Sequence, residues 1–177
     1  MDTASSDNPQ LLLSLLVLLS TYLTVVSETP PHPNPPPSGN PTKIPKDRIY
    51  LLTSPLLLTI RHIQVWLLGI IHAVFVLYPP LPTSSRLCPH PGNLNPALFT
   101  WSPITIISLA IITVFGILRL AAYRGLGENF TFALAKPNEL VTTGVYKWIQ
   151  HPSYTALFFV SLANFWLKER RDGVFGC

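Results

Sequence analysis

Apolar residues along this chain gather into four stretches, parted by segments that are polar or rich in proline. The first, Leu11 to Val26, carries no charge over 16 residues. That is about 24 Å of helix, short for a hydrocarbon core of roughly 30 Å. The second, Ile63 to Tyr78, follows a more broken piece, Tyr50 to Ile60, with Arg61 and His62 between them. A charge at the bilayer centre costs about 2.5 to 3.5 kcal/mol on insertion scales, so Arg61 is expected to mark an interface. The third, Trp101 to Leu118, is the cleanest: Pro103 suits a helix start, β-branched residues fill the middle, and Arg119 closes it. The last, Tyr154 to Leu167, has 14 residues and is expected to form one arm of an incomplete hairpin. The pattern predicts an all-α integral membrane protein of about four hydrophobic helices. It divides into an N-terminal anchor at 1–27, a Pro-rich linker at 28–49 and a multi-spanning domain at 50–177.

Composition supports that setting. Charged residues make up 11% of the chain against 48% hydrophobic, where a soluble surface usually calls for roughly a quarter charged. The net charge of +4 is spread along the chain without a basic run, so nucleic-acid binding has no support. Cys88 and Cys177 form no metal-ligand spacing and no disulfide framework is read from them; the five histidines are scattered. Eight prolines between Glu28 and Lys46 exclude a core helix or sheet there and predict an extended, solvated linker.

Lysine and arginine set an expected orientation. Lys43, Lys46, Arg48 and Arg61 precede or enter the second run, and Arg119, Arg124, Lys136 and Lys147 follow the third. The connector between those runs carries only Arg86. The basic segments belong on the cytosolic side and the Arg86 connector outside. The sequon Asn129-Phe130-Thr131 is then expected to stay unglycosylated. A cleaved secretory signal is the alternative reading of the first run. Against it, Asp2 and Asp7 precede the run without any Lys or Arg, the reverse of a signal peptide, and a retained anchor is expected.

One polar cluster interrupts the greasy C-terminal half: "GVYKWIQHPSY", Gly144 to Tyr154. Pro152 has a preset φ and no N–H, so it belongs at the first position of the last helix. His151, preceding it, avoids the α region. The start of that helix presents the free N–H groups of Ser153 and Tyr154 at the positive end of a dipole, suited to a carboxylate or phosphate. Gly144 permits a turn, and Tyr146 and Tyr154 bring flat rings with polar tips. Read without a ligand, Tyr, Trp148 and His form an interfacial aromatic belt.

The segment "ELVTTGVYKWIQHPSYTALFF", Glu139 to Phe159, resembles the cofactor-binding motif of the isoprenylcysteine carboxyl methyltransferases, through Leu140, Val141, Thr142, Gly144, Val145, Tyr146, His151, Pro152, Ser153 and Tyr154. "LRLAAYRGLGENFTF", Leu118 to Phe132, also resembles that family, and the likeness covers about residues 104 to 166. The resemblance implies an enzyme of the endoplasmic reticulum that uses S-adenosylmethionine to methylate the carboxylate of a farnesyl- or geranylgeranyl-cysteine at the C-terminus of prenylated proteins. It implies that Leu140, Val141, Tyr146, His151, Pro152, Ser153 and Tyr154 bind the cofactor, and that the prenyl chain enters from lipid between helices. A carboxylate is already a nucleophile, which fits the lack of any acid–base constellation.

Two departures stand out. Asn138 occupies a place where the family often has His. The family's later Arg-x-x-x-Glu-Glu segment has no counterpart before Cys177, and the tail "KERRDGVFGC" reads as a charged stop, so a C-terminally truncated chain is expected. The alternatives are a sterol reductase-like membrane enzyme using NADPH, whose His-Pro-Asn-Tyr is similar to the motif here, and a non-catalytic protein of the same fold.

Overall fold

The computed structural model describes residues 7–31, 54–79, 88–127, 130 and 141–177. Most of the Pro-rich linker, the sequon residue Asn129, Asn138 and Leu140 lie outside the described residues. The described chain is helical throughout its regular elements: α1, Asp7–Glu28; α2, Pro55–Leu77; α3, Pro103–Leu126; and α4, Pro152–Lys168. Three helices, over Pro9–Glu28, Pro55–Leu77 and Pro103–Leu126, are long and apolar enough to cross a membrane.

The first run is longer than its uncharged stretch suggests. α1 gains length at both ends and carries a buried stripe of Ser14, Ser20, Thr21, Thr24 and Ser27. Four of these hydroxyls donate back to carbonyls three or four residues earlier: Ser20 and Thr21 to Val17 at 2.7 and 2.8 Å, Thr24 to Ser20 and Ser27 to Thr24 at 2.8 Å each. Ser14 donates instead to the Ala73 carbonyl across in α2 at 3.2 Å. Each is therefore satisfied without water, which a membrane interior demands.

α2 absorbs two pieces that the sequence separates at Arg61. Pro55 sits at its start rather than inside it, and the Ser54 side chain accepts from Leu57 N–H at 3.4 Å. The helix then runs through Arg61 without a break. Its guanidinium is compensated by Glu169, Nη1 to Oε1 2.6 Å, and by Glu28, Nε to Oε1 3.7 Å. α1 and α2 touch closely at Gly69, where a Cβ would come within 2.2 Å of Thr21 Oγ1. A side chain there would force the helices apart.

α3 begins as the sequence predicts, with Pro103 in its first turn and Ser102 accepting from Thr105 N–H at 3.3 Å. It does not end at Arg119. That side chain is 2% exposed, and the helix continues to Gly127, whose φ of 51° ends it in a conformation that favours glycine. α4 starts at Pro152, again as predicted, and its 17 residues span about 25 Å. α3 and α4 pack along their lengths, with the Phe115 and Phe159 rings stacked at 4.3 Å.

The tail after α4 packs on the connector between α2 and α3. Asn95 N–H donates to the Asp172 carbonyl at 2.8 Å and Asn93 Nδ2 to the Gly176 carbonyl at 3.2 Å. Cys88 and Cys177, read as unpaired from their spacing, form a disulfide with Cα atoms 4.7 Å apart. The short turns Pro91–Asn93 and Pro96–Phe99 fold the connector back beneath the bundle and bring together cysteines 89 residues apart. Leu98 and Phe99 thereby enter the same core as Leu13, Val17, Phe75, Ile112 and Leu167.

Candidate functional site

The polar cluster of the last third is assembled on the final turns of α3. Residues 144 to 147 form a single 3-10 turn that opens on Gly144 with φ 60°, a conformation most side chains resist. The turn aims Tyr146 at α3. Its hydroxyl donates to the Ala122 carbonyl at 3.4 Å, and its ring lies 3.4 Å from where a Cβ on Gly125 would be. Burial pushes the Tyr146 phenol above its ordinary pKa of 10.0, so it stays a neutral donor. Trp148 is left facing out, with Lys147 Nζ 5.4 Å from its ring centre.

His151 caps α4 with φ −130° and ψ 61°, outside the α region as its place before Pro152 requires. Its carbonyl accepts from Thr155 N–H at 3.1 Å and Thr155 Oγ1 at 3.0 Å, closing the first turn. The His151 and Tyr154 rings meet edge to face at 6.3 Å, and both residues are exposed. Pro152 and Ser153 are buried. The N–H groups of Ser153 and Tyr154 have no carbonyl behind them in the helix to bond.

The structure thus brings His151 and Tyr154 together on one exposed side and turns Ser153 the other way, while Val141 lies half-buried ahead of the Gly144 turn. Ser153 faces Arg119, whose Nη1 donates to its carbonyl at 2.7 Å and its hydroxyl oxygen at 3.0 Å. Arg119 Nε donates to the Ser27 carbonyl at the end of α1. Tyr123 Oη donates to that same carbonyl at 2.5 Å, and the Tyr123 ring lies 5.0 Å from the guanidinium carbon. Sequence reasoning treated Arg119 as a stop signal and missed this role. The available signal was a lone cation with more apolar helix-forming residues beyond it, "LRLAAY".

A groove of about 460 Å³ runs between α3 and α4, lined by Ile104, Ile107, Ile111, Phe159, Leu162 and Trp166 among others. Its lining is almost wholly apolar and several of its side chains face outward. At the far end of α4 the basic tail is otherwise occupied: Arg170 grips Asp172 at 2.7 and 2.6 Å and lies over the Trp166 ring.

Residues 106–170 match the profile of the isoprenylcysteine carboxyl methyltransferase family. The chain is similar to a protein-S-isoprenylcysteine O-methyltransferase from Xenopus laevis, 33% identical over 69 residues. It is 37% identical over 70 residues to the protein of that name from Homo sapiens. Each match covers 37% of this chain and only 23% or 24% of the relative. The matched part is thus under a quarter of the curated relatives' length. No solved structure gives a significant match. The matched stretch contains all of α4, most of α3 and the polar turn between them, and over it the chain is similar to the isoprenylcysteine carboxyl methyltransferase family.

Proposed function

We propose that this chain is an S-adenosylmethionine-dependent membrane enzyme that methylates the carboxylate of a C-terminal S-prenylcysteine, acting in the endoplasmic reticulum with the Gly144–Tyr154 segment toward the cytosol. The single observation that carries the reading is the start of α4. Two exposed rings, His151 and Tyr154, flank a turn whose first N–H groups lack helical acceptors, and that turn lies in the stretch shared with the family.

The residues present fit the cofactor by their chemistry. The Ser153 and Tyr154 N–H groups would receive its carboxylate, and His151, Tyr154 and Tyr146 supply aromatic surface and hydrogen-bonding tips. Val141, Pro152 and the neighbouring Leu140 would add apolar contact. Ser153 accepts from Arg119 yet keeps its own hydroxyl proton to donate. When bound, the cofactor supplies an electrophilic methyl on a sulfonium; transfer forms an O–CH3 bond to the substrate carboxylate and breaks the S–CH3 bond, leaving a methyl ester and a thioether. No general base is required, so the protein's contribution is orientation and exclusion of water. The apolar groove between α3 and α4 offers a path for a prenyl chain from lipid.

The test is carried out in lipid nanodiscs on the full chain. Photoactivated S-adenosylmethionine should label residues between Val141 and Tyr154, and a farnesylated cysteine peptide should gain base-labile methyl. Labelling without methyl transfer would overturn the ester-forming assignment and leave the cofactor assignment standing. Binding of NADPH in place of S-adenosylmethionine would sink both.

A further inference from the structure

Arg119 lies two turns before the end of α3 and is almost fully buried, in a helix apolar enough to span a bilayer. A cation in such a place is costly unless its donors are used. Among the described residues no carboxylate comes within ion-pair distance of it; its partners are the Ser27 carbonyl in the last turn of α1 and the Ser153 carbonyl and hydroxyl in the first turn of α4. One planar guanidinium reaches two helices from separate nitrogens, Nε and Nη1, a spread that a lysine ammonium, with all its donors on one atom, does not match. The Ser27 carbonyl is an orphan of the helix end and is shared with Tyr123, whose ring lies beneath the same guanidinium. One turn further on, the Ala122 carbonyl holds Tyr146. The last turns of α3 therefore fix both the polar turn and the start of α4.

We propose that Arg119 is a positioning residue for the methyl-donor site: it clamps the first turn of α4 to the end of α1 and so sets where the Ser153 and Tyr154 N–H groups and the His151 and Tyr154 rings stand. The inference rests on the cofactor reading above for its functional consequence and on the hydrogen bonds alone for the clamp. Removing the clamp frees the α4 start while leaving every residue that would touch the cofactor in the chain. It also makes α1, which lies outside the matched stretch, a structural part of the site.

The experiment compares the full chain, Arg119→Lys and Leu167→Ala in nanodiscs. Leu167→Ala opens the core near the other end of α4, where the side chain is fully buried, and serves as a destabilised comparator away from the site. Two quantities are read: amide exchange over residues 144–158 and affinity for S-adenosylhomocysteine. Arg119→Lys keeps the charge but should speed exchange at the α4 start and weaken S-adenosylhomocysteine by about tenfold or more, since small misplacements of binding groups cost that much. Leu167→Ala should lower thermal stability with exchange and affinity near wild type over that segment. Ser153→Ala, which removes the hydroxyl that accepts from Arg119 together with a proton it could give the cofactor, is read by exchange alone, which should quicken by less than in Arg119→Lys, and it serves as the second variant should Arg119→Lys fail to insert. Unchanged exchange in Arg119→Lys, or in Ser153→Ala where only that variant inserts, overturns the clamp. Equal loss of affinity in Leu167→Ala overturns the positioning role. A wild-type chain that binds no S-adenosylhomocysteine overturns the cofactor reading, and exchange then decides the clamp by itself.

Discussion

Lys168 Nζ lies 2.9 Å from Thr21 Oγ1 and 3.2 Å from Ser20 Oγ, fully buried, with no carboxylate in ion-pair reach among the described residues. The neighbouring Glu169 is taken by Arg61. Both hydroxyls also donate to the Val17 carbonyl, so removing the ammonium leaves neither of them stranded. Lys168→Met should therefore be neutral or stabilising, by up to roughly 2 kcal/mol, because it deletes an uncompensated charge and keeps the volume. Thermal unfolding in detergent checks this; a marked loss of stability would show that the cation holds α1 and α4 together.

The Cys88–Cys177 bond requires an oxidising compartment, and the connector that carries Cys88 is the one poor in Lys and Arg. Both features agree with the proposed orientation, in which that end of the bundle faces the lumen. Alkylation of microsomal protein should modify neither cysteine until a reductant is added, and Asn129 should carry no glycan. Free thiols in freshly made microsomes, or a glycan at Asn129, would reverse the orientation. Cys88→Ser should cost about 2 kcal/mol, the low end for a disulfide, since helices held in a bilayer already restrict the unfolded chain.

His151→Ala and Tyr154→Ala each remove a ring from the exposed edge of the α4 start. Each should weaken S-adenosylmethionine binding by about 1 to 3 kcal/mol, with thermal stability near wild type because both residues are solvent- or lipid-facing. Isothermal binding in nanodiscs measures it. Unaltered affinity in both variants would remove these residues from the site.

The tail should respond to acid. Arg170 bonds both Asp172 oxygens and holds that carboxyl below its ordinary pKa of 3.8, with Asn95 contributing at 3.2 Å. A depressed carboxylate stabilises above its unfolded pKa and loses that contribution as pH falls through the lower folded value. Phosphine reduction of Cys88–Cys177, measured relative to Asp172→Asn, should stay slower in the wild type from pH 7 down to about 4 and converge with the variant below that. A constant ratio at all pH values would exclude Asp172 from docking the tail.

Helix starts were readable because proline and its preceding cap announce them: Pro103 and Pro152 sit where the sequence put them. A helix end was misread at Arg119, and the two apolar pieces around Arg61 proved to be one helix; each cation is accommodated by partners far away in sequence, Glu169 for Arg61 and Ser27 with Ser153 for Arg119. Such compensation is a property of packing and leaves no local trace. The disulfide escaped for a related reason: 89 residues of separation say nothing until the connector is seen to fold back. Within the site, Tyr146, His151 and Tyr154 were legible as a motif, whereas the inward turn of Ser153 toward Arg119 needed the third helix in place.

The bond between Cys88 and Cys177 also orders events during synthesis. Cys88 leaves the ribosome 89 residues ahead of its partner, so its thiol must wait, reduced, while α3 and the polar turn are threaded and α4 is inserted. It can close only after the tail has reached the compartment where Cys88 already stands. Oxidation at this pair is thus a record that α4 is in place. A chain whose α4 stalled part-way would carry two free thiols.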